Sequence, residues 1–352
     1  MNDALALPEA TLASYLEAHV AGFLGPFNAT KFKGGQSNPT YLIEAASGRY
    51  VLRRKPPGKL LASAHAVDRE FRVLRALTGQ ELAHSTVPVA RPLHLCTDDA
   101  VIGGMFYVMQ YVPGRIFRDP ALPELTSAAR AAHYAAALDA LVALAQLDVA
   151  AVGLTDYAKP GNYFARQVSR WSEQYRAAET ERIEAMETLI AWLPGALPAD
   201  DGRVALVHGD FRIDNLIWDA QAPRLAAIVD WELSTLGHPH ADLAYFCMAL
   251  RLPRNPVLPG LAGVDRSVLG IPNEAAMIER YVAASGLDPR PHWPFLLAFQ
   301  FFRLAAIAQG VLKRAQQGNA SSERAMQAGA MTRNIAELGV AAARYSNSTS
   351  IG

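Results

Sequence analysis

The residues able to do chemistry gather in one stretch, LVHGDFRIDNLIWDAQAPRLAAIVDWE, residues 206–232. Val204 to Val207 is apolar and β-branched and reads as a buried strand that delivers His208, Gly209 and Asp210 to a polar loop. Asn215 follows five positions after Asp210, and a turn around Pro223 returns the chain as Leu225 to Val229, with Asp230 at its end. As one hairpin, the stretch would present a carboxylate, an amide and a second carboxylate to a single small volume. That set suits phosphoryl transfer. A hydroxyl nucleophile needs a carboxylate to orient it and take its proton, and Mg²⁺ takes few protein oxygens beside those of phosphates and water. Asp210 is the candidate base, and Asn215 and Asp230 are the candidate metal ligands. Turn capping would explain any one of these side chains, but not all three in this strand context.

The pattern H-G-D-x-x-x-x-N followed by D-W-E resembles the aminoglycoside phosphotransferase and choline kinase-like branch of the protein-kinase-like superfamily. The resemblance implies an α+β, bilobal protein-kinase-like fold, with a small antiparallel β-sheet N-lobe and a larger, mainly helical C-lobe. It implies ATP and Mg²⁺ as cofactors. Asp210 would match the catalytic-loop Asp, Asn215 the metal-binding Asn and Asp230 the Asp of the D-F-G element. Arg212 would match the catalytic-loop Lys and neutralise the phosphoryl group in transit. Gly209 stands where many protein kinases carry Arg. Asp230 is followed almost at once by Gly237-His238-Pro239-His240-Ala241-Asp242, which leaves no room for a long activation segment. Both departures resemble small-molecule kinases. Asp242 would buttress the catalytic loop, and His238 and His240, lacking a Cys or acid pair at ligand spacing, read as loop residues.

The elements that must position these groups follow from periodicity. Pro8 to Leu24 has Leu12, Tyr15, Leu16 and Val20 on one helical face. Phe32 to Gly48 reads as a hairpin whose loop, Lys33 to Pro39, could lay backbone N–H groups over phosphates, with Ser37 and Asn38 as contacts. Tyr50-Val51-Leu52-Arg53 is a strand on which Val51 and Arg53 share a face, Val51 toward adenine and Arg53 toward phosphate. Arg53 stands where the related kinases carry Lys, and Arg54 and Lys55 are its rivals. A fork replaces a point charge there. Ser63 to Leu77 is the following helix, with Glu70 as partner for Arg53 and Asp68 in competition. Gly104 to Tyr111 is a strand leading into the hinge implied by the resemblance, with Met109 as gatekeeper and the backbone of Gln110 and Val112 at the adenine edge. Composition then turns alanine-rich and helical, which predicts a nucleotide-binding lobe at 1–111 and a helical lobe at 112–352. Helices are expected from an N-cap at Thr126 or Ser127 to about Leu147, and over Tyr163 to Ala178, Glu181 to Trp192, Asn273 to Ala284, Phe295 to Ala315 and Ser321 to Arg344.

Composition bounds the rest. The 352 residues are 51% hydrophobic and 19% charged, enough to bury a sizeable core. Thirty-three basic and thirty-three acidic side chains cancel, which argues against nucleic acid or a membrane surface as partner. Cys96 and Cys247 lie far apart in apolar company and read as buried thiols of a reducing compartment, so a cytoplasmic location is expected. The N-terminal residues carry acids and no basic region before an apolar run, so no secretory signal is expected. No apolar run is expected to reach the ~20 residues of a membrane span.

The acceptor is read from charge and resemblance. Eleven basic residues against six acids follow Asp242, an excess that disfavours a polycationic guest. Arg303, Lys313 and Arg314, on one helix, are candidate acceptor contacts. GGQSNPTYLI, YVLRRKPPGKLLASAHAVDREFRVL, GRIFRDPALP and FRLAAIAQGVLKRA resemble the kinase-like domain fused to, or encoded beside, certain acyl-CoA dehydrogenases. That resemblance implies a small-molecule hydroxyl acceptor, a hydroxyacyl-CoA or hydroxy acid, and a functional link to an acyl-CoA dehydrogenase. An aminoglycoside-type antibiotic kinase and a nucleotide-binding pseudokinase that regulates a partner are the alternatives.

Overall fold

The computed structural model describes residues 7–32, 38–56, 66–79, 87–159, 161–317 and 323–344. The chain forms two compact units. The first comprises 1–115, 150–154 and 216–234, and the second comprises 116–149, 155–215 and 235–352. The expected boundary at 111/112 is thus corrected. Residues 112–115 stay with the first unit because Arg115 and Trp218 exchange backbone hydrogen bonds, Arg115 N–H to Trp218 O and back, both at 2.9 Å.

The first unit is built on a five-stranded antiparallel sheet in the order β1-β2-β3-β5-β4. Its strands are β1 (Phe27–Lys31), β2 (Thr40–Ala45), β3 (Gly48–Arg54), β4 (Pro92–Cys96) and β5 (Phe106–Gln110). Helix α1 (Glu9–His19) is shorter than expected, and it buries Leu12 and Leu16 beside Phe27, Ile43, Leu52 and Phe106. Helix α2 (Val67–Thr78) turns Glu70, Val73, Leu74 and Leu77 inward. Of the longer helix expected there, residues 63–65 lie outside the described residues. Asp98 caps the short helix α3 (Asp99–Ile102), its Oδ1 accepting the Ala100 N–H at 2.9 Å.

Four short strands carry the motif stretch: β6 (Ala205–Val207), β7 (Leu216–Trp218), β8 (Leu225–Ile228) and β9 (Thr235–Gly237). They do not make the single hairpin expected. In the first unit β7 pairs with β8, while in the second β6 pairs with β9. Asp210 and Asn215 therefore belong to one unit and Asp230 to the other.

The second unit is helical. Helix α4 (Ser127–Gln146) starts where Thr126 Oγ1 accepts the Ala129 N–H. It is followed by α5 (Tyr163–Ala178), α6 (Glu184–Trp192) and α7 (His240–Met248), then by α8 (Arg266–Leu269), α9 (Glu274–Ser285) and α10 (Trp293–Gln316). The helix expected from 321 to 344 is two, α11 (Glu323–Ala330) and α12 (Thr332–Arg344). Residues 290–316 are long and apolar enough to cross a bilayer by length and composition, against the expectation that no run approaches that. The apolarity serves the core, since α10 packs on α5, α7, α11 and α12 and buries nearly every residue from Trp293 to Gln309. Cys96 and Cys247 are both buried and free, as expected.

Candidate active site

In the second unit, the strand β6 ends in a loop fastened from below. Asp242, on α7, accepts the His208 N–H on Oδ2 at 2.6 Å and the Gly209 N–H on Oδ1 at 2.9 Å. Two N–H groups can converge on one carboxylate because Gly209 adopts φ +84, a left-handed turn that a side chain would strain. Burial pushes the Asp242 carboxyl up, and His208, the two N–H groups and Arg303 work against that rise. The expected buttress is in place.

The loop then presents Asp210. Its Oδ1 accepts the Tyr245 hydroxyl at 2.7 Å, and its Oδ2 accepts the Asn215 amide at 2.9 Å. The same amide also donates to Asp210 O at 2.9 Å, so the 3₁₀ turn Ile213–Asn215 is closed onto the loop. Arg212 Nε stands 3.2 Å from Asp210 Oδ1, and its Nη2 stands 3.2 Å from Asp214 Oδ2. Burial, and then the Asp210 charge, push the Tyr245 hydroxyl far above its ordinary range, so it stays a proton donor to Asp210. A carboxylate held on both oxygens by short contacts has one orientation. Tyr245 was not singled out from sequence, although it lies three residues past Asp242 and so shares its helical face.

In the first unit, Arg53 is 8% exposed and forks between three carboxylates. Its Nε lies 2.9 Å from Glu70 Oε2 and donates to Glu70 Oε1 at 3.2 Å, while Nη2 reaches Asp230 Oδ1 at 2.6 Å and Glu232 Oε2 at 3.3 Å. The pairing expected with Glu70 is present, and Asp68 does not compete for it. Arg54 instead donates to Ile102 O at 2.8 Å, which removes it as a rival. Burial works against the Arg53 charge, but Glu70 and Asp230 outweigh it and hold the guanidinium protonated. Glu70 also accepts from Asn38 Nδ2 at 2.9 Å and from the Tyr107 hydroxyl at 3.1 Å. Asp230 sits at φ +70, left-handed backbone unusual for a residue with a side chain, at the turn out of β8. Glu232 and Tyr107 were missed. Glu232 is two residues from Asp230, a spacing that a search for acids near the motif would have caught.

Several expected contacts are corrected. Asn38 is fully buried on Glu70 and braces that carboxylate from inside, so it is not placed as a phosphate contact, and Ser37 lies outside the described residues. The Gln110 N–H is spent on Arg91 O at 2.8 Å, so a nucleotide could use only the carbonyl at that residue. Val51 is buried in β3 opposite Met109. Val112 is half-buried in the segment after β5. The acceptor residues fare worst. Arg303 is 5% exposed, donates to Gly209 O, and has its guanidinium carbon 5.6 Å from the Trp171 ring centre and 5.3 Å from that of Tyr245. Lys313 donates to Ala177 O at 2.6 Å, next to the last residue of α5, and Arg314 is exposed beyond it. The basic excess after Asp242 is largely spent locally, as in Arg251–Glu274, Arg254–Asp119, Arg280–Asp139 and Arg290–Asp288. Isolated counts of charge did not show this.

A sheet unit carrying Arg53, Glu70 and Asp230, and a helical unit carrying Asp210 and Asn215, define a kinase-like phosphotransferase. Residues 28–299 match the family model described as "Phosphotransferase enzyme family", and the chain belongs to that family. It is 47% identical over 336 residues to acyl-CoA dehydrogenase family member 10 of Mus musculus, covering 95% of this chain and 31% of that protein. The chain thus spans about a third of that curated relative's length. A crystal structure of a Ralstonia eutropha protein named as a candidate aminoglycoside phosphotransferase aligns with a TM-score of 0.85 at 42% identity, covering 97% of this chain and 99% of that one. A ternary complex of aminoglycoside phosphotransferase APH(4)-Ia with ADP and hygromycin B aligns with a TM-score of 0.60 at 13% identity, covering 95% and 98%, which is a likeness of fold alone.

Proposed function

We propose that the chain is an ATP-dependent kinase that phosphorylates the hydroxyl group of a hydroxylated acyl compound, a hydroxyacyl-CoA or hydroxy acid. The observation that carries the chemistry is the fixed carboxylate of Asp210, held by Tyr245 on one oxygen and Asn215 on the other. A hydroxyl approaching Asp210 gives up its proton to the carboxylate as its oxygen bonds to the γ-phosphorus. The bond from that phosphorus to the β–γ bridging oxygen breaks, and ADP leaves with the electron pair. Arg212, paired with Asp210 and Asp214, brings a positive charge beside the base. Tyr245 and Arg212 keep Asp210 aimed while it changes charge.

The residues also suit Mg²⁺. The Asn215 amide nitrogen is engaged by Asp210, which turns Oδ1 away from that contact, and Asp230 engages Arg53 through Oδ1, which leaves Oδ2. Each residue would offer one hard oxygen of the kind Mg²⁺ takes. Among the described residues no cluster of three or more His, Cys, Asp or Glu could hold a metal, so a larger protein cage is not offered. Bound Mg²⁺ would neutralise phosphate charge. The similarity to a protein named acyl-CoA dehydrogenase family member 10 supports an acyl acceptor.

Transfer of label from [γ-³²P]ATP across hydroxyacyl-CoAs, hydroxy acids, aminoglycosides and amino alcohols tests the reading. Labelled hydroxyacyl products are expected. Transfer to aminoglycosides alone would overturn the acceptor, and nucleotide binding with no transfer to any of them would overturn the kinase.

A further inference from the structure

A cavity in the second unit has no part in the chemistry described so far. Arg212 and Tyr245, the two side chains that touch Asp210 Oδ1, both line it, so it opens beside the base. Asp214, paired with Arg212 at 3.2 Å, also lines it, and most of the remaining wall is apolar. Leu252, Leu258 and Leu261 line it together with Tyr134 on α4 and Phe246 on α7. Arg118, which is exposed, stands at the rim, and Pro120 is buried in the lining.

This cavity is built rather than incidental. The segment 253–262 folds back onto residues 249–252 through Leu261 N–H to Ala249 O at 2.8 Å and Ala262 N–H to Leu252 O at 2.9 Å. Gly260 makes that return possible, because a Cβ there would stand 2.0 Å from Leu252 O. Arg254 then clasps Asp119 with both Nη atoms, at 2.8 and 2.7 Å, and so ties the leucine wall to the rim. Arg118, one residue before that clasp, is exposed and makes no hydrogen bond or ion pair among the described residues. An uncommitted guanidinium at the mouth of an apolar cavity selects a guest with two parts. Hydrocarbon is favoured inside, and an anion is favoured at the rim.

We infer that this cavity binds the aliphatic part of the acceptor and that Arg118 reads its anionic group. Its connection to phosphate transfer rests on the kinase reading above, whereas the binding itself does not. An aminoglycoside, polar throughout and cationic, fits neither part. The anion is a carboxylate of a free hydroxy acid or a phosphate of its thioester carrier, two sources with one charge.

Calorimetric titration of the full chain with 3-hydroxy carboxylates of increasing length, their primary amides and their coenzyme A thioesters tests the assignment. Affinity is expected to rise with chain length by up to about fourfold per buried methylene. Charged ligands should bind about two- to fivefold better than the amides, the scale of a rim ion pair, and Arg118→Ala should abolish that preference while leaving the length dependence. A loss confined to the acids assigns Arg118 to a carboxylate, and one confined to the thioesters assigns it to phosphate. Leu258→Trp, which fills the cavity, should shorten the longest chain that still gains. Affinity indifferent to length, or a length dependence unmoved by Leu258→Trp, would overturn the cavity assignment, and a charge preference that survives Arg118→Ala would overturn Arg118. Phosphate transfer on the same ligands is read separately. This binding pattern without transfer would sink the kinase reading and leave the cavity standing.

Discussion

Replacing Arg303 by Met removes a guanidinium that braces the base from two sides. It donates to the carbonyl of Gly209, the residue before Asp210, and lies against the ring of Tyr245, whose hydroxyl holds Asp210. The site is 5% exposed, so water cannot take over the Gly209 carbonyl, and an orphaned buried acceptor costs about 1–3 kcal/mol. Loss of cation–π contact with Trp171 and Tyr245 adds about 1–2 kcal/mol. Relief of the guanidinium's own burial returns part of this. A net destabilisation of about 2–4 kcal/mol is expected, measured as the shift of the urea midpoint at constant m-value. Where the variant remains folded, kcat should fall by about 10–100-fold, the effect of a misplaced base, with the KM for ATP unchanged. Arg303→Lys keeps the charge without the fork and should recover little. An unchanged urea midpoint in Arg303→Met would refute the buttress. A raised acceptor KM at constant kcat and stability would return Arg303 to the acceptor site.

Asp210→Asn should keep ATP affinity within about threefold and lower turnover by about 10²–10⁴, and normal turnover would remove Asp210 as the base. Glu70→Gln leaves Arg53 with only Asp230 and Glu232, and breaking this buried pair should cost about 3–5 kcal/mol in denaturant titration; a change below 0.5 kcal/mol by the same titration, on the order of a surface substitution, would contradict it. His240 supplies a pH test. Burial first, and His238 next, hold its imidazole down at about 3, and its Nε2 is buried without a hydrogen-bond partner among the described residues. The folded chain therefore keeps His240 neutral while the unfolded chain protonates it below about 6.5. This contribution is complete above that value and is lost as pH falls toward 3, by up to about 1.4 kcal/mol per pH unit. His240→Phe should flatten the slope of stability between pH 6 and 4, and a slope equal to that of the parent would place its origin elsewhere.

The sequence by itself determined the chemistry and most of the elements. A base, an amide and a second acid at fixed spacing are local facts, and so are the helical periods that placed α5 at Tyr163–Ala178 and the cap of α4 at Thr126 or Ser127. Asp242 under the loop was legible too, through the family pattern. What tertiary structure decided was the commitment of polar groups. Arg303 read as a free cation because sequence shows a charge but not its burial, and its partner, Gly209 O, lies 94 positions away and carries no charge to announce itself. Asn38 looked like a phosphate donor for the same reason, and the fold spends it on Glu70. Strand pairing was also beyond local reading, since apolar runs as short as β6 and β8 fit more than one partner. Their pairing is set by which edge each meets, and it put Asp210 and Asp230 in different units. The cavity beside the base needed the fold most. Its walls come from residues 118–261 and meet only because a glycine lets one loop turn back and one ion pair fastens it.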